Sequence, residues 1–536
     1  MLLYLLLSVT LARLPQTRTI IITNEGDKGC CSGTYERTIN ETGWNKLTIA
    51  TSEECSDDVQ AYCMGFLEGY ITSEDIDAAW NNYRFNHWED GIPPEEIVDM
   101  YNDQFEFWHN AGSGETWRRQ KLIQEQFAGL CNGYKEAGGK MTAEDMYILY
   151  NSGDLYDLND FYPSSQNSLA SMRKRYGKMN IHSCSAFVRN VNDTVYFAHN
   201  TWDLYTEMLR TYKVYETHFG EKRTIAMASY PGLFCSIDDF YSVNTKDSTF
   251  FVMATTNNIY YEEMTFDLSD KLLYQQRIMQ SLLFEDTAEN IGKGSCVMNS
   301  GTYNNQWMIF DAGKWNQKQR QQVFYVTESM PGVCNTHDVS NYLTQGNGTW
   351  VSYNIPYDKE VYNASGLYDM LKDLDCNAYY MSRRRQIFER DIHKVVDFES
   401  AKMFIRSNDF RNDPLCTKTS ECTKDFNSTT KKDPCYAISA RKDLDDDNPE
   451  LYGARDAAIL TTKNVDVMYL INGPTTEGQP VFDFEQVEGY DFYIEGMPTR
   501  YDFGWVQMQT IRYSINGAIA LISNSLITLV FCMLFL

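Results

Sequence analysis

The stretch Ile181-His182-Ser183-Cys184-Ser185-Ala186-Phe187 is the most informative part of this 536-residue chain. A cysteine there heads an apolar, strand-like run, and His199-Asn200-Thr201-Trp202 begins 15 residues after it. We interpret this pattern as a precursor that cleaves itself between Ser183 and Cys184. The released Cys184 would carry both a nucleophilic thiol and a free α-amine. An α-amine has a pKa of about 7.7–8.0, which suits proton transfer near neutral pH.

Two short strands are predicted directly after the cleavage site. Ser185–Arg189 and Thr194–His199 have β-type composition, and Asn190–Asp193 between them is a turn sequence. Antiparallel pairing would bring Cys184, at the start of the first strand, next to His199, at the end of the second. Later elements are predicted as strands at Thr224–Ala228, Thr249–Ala254, Gln306–Phe310 and Gln322–Val326, and as a helix at Leu268–Leu283.

Residues 13–159 are predicted to form a mainly helical N-terminal fragment. Apolar residues recur there at three- and four-residue spacing, and acidic residues or serines stand near the segment starts. The clearest helical segments are Asp58–Tyr70, Pro94–Trp108 and Glu115–Gly133.

The remaining segments are assigned by composition. Residues 160–183 are serine-rich and contain Arg173-Lys174-Arg175, which indicates a linker that is removed or trimmed before the nucleophile fragment at 184–513 acts. Residues 1–12 are apolar but too short to span a bilayer, and we predict a cleaved signal peptide. The apolar tail at 514–536 fits either a removable GPI-type signal or a transmembrane helix.

The composition excludes some classes of function. A net charge of −26 leaves no broad basic surface for a nucleic-acid partner. A hydrophobic content of 43% is typical of a chain that folds around a core. The zinc motifs C-x-x-C…C-x-x-C and H-E-x-x-H do not occur in the sequence, so we expect neither a metal nor a cofactor.

Cysteines and glycosylation signals favour the secretory pathway, with a lysosome-like, extracellular or cell-surface destination. When Cys184 and Cys532 are set aside, 12 of the 14 cysteines remain, enough for six disulfides in an oxidising compartment. The group Cys416, Cys422 and Cys435 is the expected source of a local disulfide. Asn-x-Ser/Thr acceptors occur at Asn40, Asn192, Asn347, Asn363 and Asn427.

A thiol nucleophile also needs hydrogen-bond donors for the oxyanion that forms during acyl transfer. Two dense polar clusters in apolar surroundings are candidates for this part of the site. One is at 299–307 and contains Asn304 and Asn305; the other is at 437–444 and contains Arg441.

These stretches give the chain a resemblance to the phospholipase B-like (lamina-ancestor) family of N-terminal-nucleophile hydrolases. The matching motifs run in the family order across roughly residues 40–510. The longest are NSGTYNNQWMIFD at 299–311 and SYNIPYDKEVYNASGL at 352–367. The others are CSAF and AHNTW within 184–202, ASYPG and DDFY within 228–241, RRRQIFER at 383–390, NDFRNDPLC at 408–416 and AISARKDL at 437–444.

The resemblance implies an α+β fold, the αββα sandwich of N-terminal-nucleophile hydrolases with a largely helical N-terminal portion. It also implies maturation by autocleavage before Cys184 and deacylation of glycerophospholipids through a cysteine thioester. The site residues that it implies are the nucleophile Cys184, the pocket residues His199 and Trp202, the oxyanion donors Asn304 and Asn305, and Arg441.

Other functions stay open at this stage. The same chemistry suits an amidase that acts on lipid-like N-acyl amides, and the fold also suits a non-catalytic, lipid-binding surface glycoprotein. The expected partners are a phospholipid or lipid-amide substrate and a membrane surface. A serine lipase is disfavoured because no G-x-S-x-G motif occurs. A papain-type protease is disfavoured because a strand-like run, not a helix, follows Cys184.

Overall fold

The structure is a computed structural model that describes residues 17–23, 29–110, 112–162, 183–261, 265–372, 378–418, 431–511 and 521–523. The predicted signal peptide, nearly all of the predicted linker, Asn427 and most of the tail lie outside these residues. The described part combines helices with two large sheets, in agreement with the α+β class.

The N-terminal portion contains the predicted helices, and strands that the sequence pattern does not indicate come before them. Its elements are β1 Thr17–Thr23, β2 Gly29–Glu36, α1 Ile39–Thr42, β3 Asn45–Thr51, α2 Asp57–Ile71, α3 Ser73–His87, α4 Glu95–Asn110, α5 Glu115–Glu136, α6 Ala143–Tyr150 and α7 Leu155–Phe161. The three segments with the clearest helical spacing correspond to α2, α4 and α5. The strands β1–β3 pair with one another as neighbours along the chain, but β3 also joins β6 and β1 joins β20, and such tertiary pairing decides strand formation more than local propensity does.

Glycines bring α2 and α5 into direct backbone contact. A Cβ atom built on Gly65 would lie 1.8 Å from the carbonyl oxygen of Gln126, and one on Gly129 would lie 2.1 Å from that of Tyr62. Any larger residue at these positions would force the two helices apart, since real Cβ atoms do not approach so closely.

The middle of the chain is mainly β. Its elements are β4 Ser183–Val191, β5 Thr194–Leu204, β6 Thr211–Phe219, β7 Glu221–Ser229, β8 Phe240–Asn244, β9 Thr249–Thr256, α8 Tyr274–Phe284, α9 Ala288–Gly294, β10 Asn305–Asp311, α10 Ala312–Asn316, β11 Phe324–Met330, β12 Val333–Asp338, α11 Asn341–Thr344 and β13 Thr349–Ser352. The predicted strands are present, but the one placed at Gln322–Val326 begins at Phe324. The helix predicted from Leu268 begins at Tyr274, because the preceding residues form a turn that ends at its N-cap, Leu273.

The C-terminal part alternates short helices with strands. Its elements are α12 Lys359–Ala364, α13 Leu367–Leu371, α14 Ala378–Met381, α15 Arg383–Asp391, α16 Phe398–Ile405, β14 Tyr452–Ala454, β15 Asp456–Thr461, β16 Asn464–Asn472, β17 Phe482–Asp483, β18 Arg500–Tyr501, β19 Val506–Gln509 and β20 Leu521–Ser523.

Two sheets organise these elements. The large sheet has the order β12-β11-β10-β9-β8-β7-β6-β3-β2-β1-β20, with parallel pairing at β3/β6 and β1/β20 and antiparallel pairing elsewhere. The second sheet has the order β13-β4-β5-β15-β16-β19, and β14 also pairs with β5. The N-terminal strands β1–β3 thus continue a sheet whose other main strands follow the predicted cleavage site.

Hydrophobic clusters fill the spaces beside and between the sheets. One lies between the two sheets and includes Phe197 and Phe310. A second packs α2 and α5 against the other face of the large sheet. A third packs α15 and α16 onto the second sheet and includes Phe187 and Phe404.

Three disulfides occur among the described residues, and such bonds are typical of the secretory pathway. They join Cys30 to Cys55, Cys31 to Cys63, and Cys296 to Cys334. The expected local disulfide within the group Cys416, Cys422 and Cys435 is wrong, because Cys416 and Cys435 are free and any bond within the group would need one of them. Both are also largely enclosed, and burial raises the pKa of each, which keeps the sulfur protonated. Cys422 lies outside the described residues.

The surface carries the glycosylation acceptors. Asn40, Asn192, Asn347 and Asn363 are exposed, as an acceptor must be, and their glycosylation stays a prediction. No helix in the described part of the chain is both long and apolar enough to span a membrane.

Candidate active site

The predicted hairpin that carries Cys184 is present as β4 and β5. Asn192 and Asp193 form its two-residue turn with φ of 50° and 67°, the positive values of a type I′ turn. β5 continues beyond its predicted end at His199 to Leu204, because β14 pairs with its last residues. Cys184 is therefore opposite Thr201, and His199, its predicted neighbour, lies diagonally across the hairpin rather than directly opposite.

His199 lies on the same face of the hairpin as Cys184, two residue pairs further along. It is opposite Ala186, and its Nε2 forms a 2.8 Å hydrogen bond with the carbonyl of Ala254 in β9. Because β9 belongs to the large sheet, His199 links the two sheets beside the nucleophile.

Trp202 projects from the opposite face of β5, because side chains alternate along a strand. It is opposite Ser183, and its indole N–H donates to Asn200 Oδ1 at 2.8 Å. The guanidinium of Arg384 lies 4.3 Å from its ring centroid. Trp202 therefore contacts Arg384 and lies on the face of the hairpin opposite the Cys184 side chain.

The Cys184 thiol is almost completely buried, with 1% of its surface exposed. Burial raises the pKa of this thiol well above its ordinary value, and the carboxylates of Asp239 and Asp456 raise it further. Hydrogen bonds with the backbone of Trp202 and Thr256 act in the opposite direction. With the Ser183–Cys184 bond intact, the sulfur is a protonated thiol, which is a weak nucleophile.

Asn354 and Arg384 hold the backbone of Cys184. The Cys184 N–H donates to Asn354 Oδ1 at 3.0 Å, and Asn354 Nδ2 donates to the carbonyl of Thr256 at 2.8 Å. Arg384 donates through Nη1 to the carbonyl of Cys184, and through Nη2 to Asn354 Oδ1 and to the carbonyl of Tyr353, both at 2.8 Å. The nitrogen that cleavage would free is thus fixed by an amide oxygen beside a guanidinium.

The predicted donors Asn304 and Asn305 point to different partners. Asn305 Nδ2 donates to Asp239 Oδ2 at 3.3 Å, and the Tyr303 hydroxyl donates to Asp239 Oδ1 at 2.9 Å. Asn304 Nδ2 donates to the carbonyl of Gly301 at 2.8 Å. Burial raises the pKa of Asp239 well above its usual range, which favours the neutral acid. Asp239 therefore connects Asn305, by a hydrogen bond, with the Cys184 thiol, whose pKa an ionised Asp239 raises.

Buried amide atoms at the ends of β9 and β10 have unused hydrogen-bonding capacity. Within the described part of the chain, neither side-chain atom of Asn257 has a partner, and the same holds for Oδ1 of Asn304 and of Asn305. All three residues are fully buried. Since unpaired buried polar atoms are costly, these amides are candidates for binding a polar group.

Arg441 is buried away from these residues. It pairs with Asp443, and its Nη1 donates to the carbonyls of Thr475 and Pro480. Its isolated bridge with Gly453, which pairs with β5, places it behind the hairpin. These contacts give Arg441 a supporting position and do not bring it to Cys184.

A buried charge network stabilises the end of β5. Asp456 accepts from the backbone N–H of Thr201 at 2.7 Å and pairs with Arg210 at 2.9 Å. Arg210 and Arg455 both pair with Asp238. All four charged side chains are fully buried, so removal of one would leave an uncompensated charge.

Sequence reasoning missed Asp239, Asn257, Asn354 and Arg384. Three of them stand in quoted motifs, DDFY, SYNIP and RRRQIFER, so a signal existed. The motifs alone did not reveal which of their polar residues reach Cys184. Asn257 follows the predicted strand at Thr249–Ala254, and only its burial without a partner distinguishes it.

Comparison with known proteins agrees with these motifs. The sequence profile of the Phospholipase B family matches residues 31–508. The chain belongs to the phospholipase B family. It is 32% identical to phospholipase B-like protein G of Dictyostelium discoideum, over 89% of this chain and 86% of that protein. It is 30% identical to phospholipase B-like 1 of Bos taurus, over 93% of this chain and 92% of that protein. Membership of the phospholipase B family supports a hydrolase with a lipid substrate.

Proposed function

We propose that this member of the phospholipase B family is an N-terminal-nucleophile hydrolase with an αββα sandwich, which releases fatty acids from glycerophospholipids. The observation that carries the proposal is the hydrogen bond from the Cys184 N–H to Asn354 Oδ1, beside Arg384. In such a hydrolase this nitrogen becomes the catalytic base. Helices packed on the outer face of each sheet also support the proposal.

Maturation is proposed to begin at the Ser183 carbonyl. Cys184 Sγ bonds to this carbonyl carbon, the bond to the Cys184 nitrogen breaks, and the thiol proton moves to that nitrogen. Water then hydrolyses the thioester. The products are a carboxylate on Ser183 and a free thiol and α-amine on Cys184. The linker at 160–183 would then leave the site.

The surroundings of the new amine suit it to act as a base. The Arg384 guanidinium disfavours a second cation, which lowers the pKa of the amine, while Asn354 Oδ1 accepts one of its hydrogens. A neutral amine at working pH can take the thiol proton and give the thiolate that attacks an ester carbonyl.

Turnover would proceed in two acyl transfers. The thiolate bonds to the acyl carbonyl carbon, and the second N–H of the Asn305 amide stabilises the oxyanion, while Asn304 holds its place beside Asn305. The protonated amine returns its proton to the glycerol oxygen as the ester C–O bond breaks, which leaves an acyl thioester. Water, deprotonated by the amine, then releases the fatty acid and restores the thiol.

The test is to incubate matured protein with phosphatidylcholine and, in parallel, with a long-chain N-acyl amide, and to quantify the free fatty acid. The proposal expects release from the phospholipid and none from Cys184→Ala. Release from the amide alone would assign the protein as an amidase. Equal release by the wild type and Cys184→Ala, or none by either, would reject the proposed chemistry.

A further inference from the structure

We propose that Asp157, near the end of the N-terminal portion, is a positioning residue that sets the Asn304–Asn305 amides for the reaction of Cys184. This inference rests on the proposed function. Its consequence is that the N-terminal portion remains part of the working site after cleavage, although it contributes no atom to the chemistry.

The position of Asp157 makes the contact direct. It lies in α7, the last described helix before residue 183, and its side chain is buried. Asp157 Oδ2 accepts the backbone N–H of Tyr303 at 2.7 Å and the Asn304 Nδ2 amide at 3.5 Å. Asp157 therefore accepts hydrogen bonds from Tyr303 and Asn304, the two residues immediately before Asn305.

Asp154 makes a parallel contact one turn earlier. Its Oδ1 accepts the Thr302 hydroxyl at 2.6 Å, and its Oδ2 accepts the backbone N–H of Tyr274 at 3.1 Å. Arg277 completes the arrangement by donating to the carbonyl of Thr302 at 3.0 Å. Hydrogen bonds with Asp154, Asp157 and Arg277 therefore hold residues 300–304 in place. We call residues 300–304 the amide turn.

The amide turn needs such support because its backbone is strained. Tyr303 has a φ of 54° and Met298, just before the turn, has a φ of 51°; both lie in the left-handed region that residues other than glycine rarely occupy. Conformations of this kind persist where the surroundings over-determine them. The N–H of Tyr303, at the strained residue, is the group that Asp157 binds.

Two sets of hydrogen bonds connect the amide turn with the surroundings of Cys184. The Tyr303 hydroxyl and Asn305 Nδ2 both donate to Asp239, whose carboxyl group is close enough to the Cys184 thiol to raise the pKa of that thiol when it is ionised. The carbonyl of Asn304 also accepts the N–H of Asn257 at 2.8 Å. A shift of Tyr303 would therefore displace Asp239, Asn305 and Asn257.

The burial of the Asp157 and Asp154 carboxyl groups also supports a positioning role for Asp157. It raises the pKa of Asp157 to about 7 and that of Asp154 to about 6. The charged groups that face Asp157 are Asp160 in its own helix, Asp154 and Arg277. A neutral Asp157 still presents a carbonyl oxygen to the Tyr303 N–H, so asparagine is a close mimic of the protonated side chain, whereas alanine removes the acceptor.

The experiment compares Asp157→Ala, Asp157→Asn and Asn159→Ala in the full-length chain. Asn159 is the matched control because it is buried in the same helix but contacts Trp88 and Tyr83 instead of the amide turn. Hydrolysis of a monomeric short-chain phosphatidylcholine gives kcat and KM for each variant, with kcat normalised to the fraction of chains that start at Cys184. Hydrogen exchange reports the protection of residues 299–306.

We expect Asp157→Ala to lower kcat by about 100-fold, the effect of losing an oxyanion donor, with KM changed less than about 3-fold. Its amide turn should also lose protection. Asp157→Asn should stay within about 10-fold of the wild-type kcat and rescue the protection. Asn159→Ala should keep both kcat and protection, even if it is less stable.

The inference would be overturned if Asp157→Ala matched Asn159→Ala in kcat and in exchange. A wild-type protein that hydrolyses no phospholipid, combined with loss of protection in Asp157→Ala alone, would reject the proposed function while supporting the contact between Asp157 and the amide turn. The two failures are therefore distinguishable.

Discussion

At the scale of single residues, the site depends on what surrounds the Cys184 nitrogen. Asn354 lies 170 residues from Cys184 in sequence, yet its amide oxygen accepts the N–H that would become the base. Arg384 binds both Asn354 and the carbonyl of Cys184. The positive charge of Arg384 should therefore control the pH at which the amine is neutral.

Arg384→Gln tests this role because it keeps hydrogen-bond donors and removes the charge. Without the cation the pKa of the α-amine should rise, so the acidic limb of the kcat/KM profile should move to higher pH by about one unit. Arg385→Gln is the matched control, since Arg385 pairs with Glu389 and tyrosine rings instead. An unmoved limb, or an equal shift in both variants, would contradict the assignment.

The sequence predicts the nucleophile and the pair of asparagines, because short motifs carry them. It does not predict their partners. Asn354 follows β13, Arg384 lies in α15 and Asp239 lies just before β8, so only the tertiary fold brings them near Cys184. The spacing of His199 and Trp202 alone does not show that their side chains project from opposite faces of β5. This follows only once the strand is known to continue to Leu204.

At the scale of elements, the glycine contacts between α2 and α5 fix how the N-terminal helices pack on the large sheet. Gly65→Ala should lower the free energy of unfolding by about 1–3 kcal/mol, because the added Cβ meets the carbonyl of Gln126 and the helices must separate. Urea unfolding measures the loss. Gly504→Ala is the control, since no atom lies within 4 Å of its Cβ, and an equal loss there would contradict the explanation.

Helices were easier to predict than strands. The spacing of apolar residues identifies α2, α4 and α5 directly, since a helix buries one face of its own segment. The strands β1–β3 pair with their neighbours in sequence, but the distant pairings of β3 with β6 and of β1 with β20 place them in the large sheet, and no local pattern indicates those pairings. Local spacing does not predict disulfide pairing either: Cys416 and Cys435 are free, whereas the described disulfides join cysteines that are 25 to 38 residues apart.

At the scale of the whole molecule, buried carboxyl groups couple stability to pH. Burial raises the pKa of Asp154 to about 6, and those of Asp157 and Glu328 to about 7. Because these folded-state values exceed the unfolded ones, the folded protein binds protons more tightly. Their contribution to stability is complete below about pH 4 and is lost as the pH rises through 6 to 7.

The free energy of unfolding should therefore fall from pH 5 to pH 8, by about 1–3 kcal/mol for each of these groups. Thermal or urea unfolding at several pH values measures the trend. Glu328→Gln should flatten the curve, because it removes one of the titrating groups. A stability that is constant or rises over this range would contradict the assignment of raised pKa values.

The fold also predicts how the cleaved halves stay together. Two of the three described disulfides lie before residue 183 and the third lies after it, so none of these bonds crosses the cleavage site. The strand β3 nevertheless lies between β2 and β6 in the large sheet. Matured protein should therefore give two bands on a non-reducing denaturing gel and a single peak in native size exclusion. Separation of the halves without denaturant would contradict this arrangement.

The central claim is that Cys184 becomes an N-terminal residue, and N-terminal sequencing of the larger fragment tests it most directly. Protein matured at about pH 5, where the carboxyl groups of Asp154 and Asp157 are largely protonated, should yield a fragment that begins Cys184-Ser185-Ala186. Cys184→Ala should remain uncut. An intact wild-type chain, a fragment with Cys184 in its interior, or cleavage of Cys184→Ala before residue 184 would contradict the account.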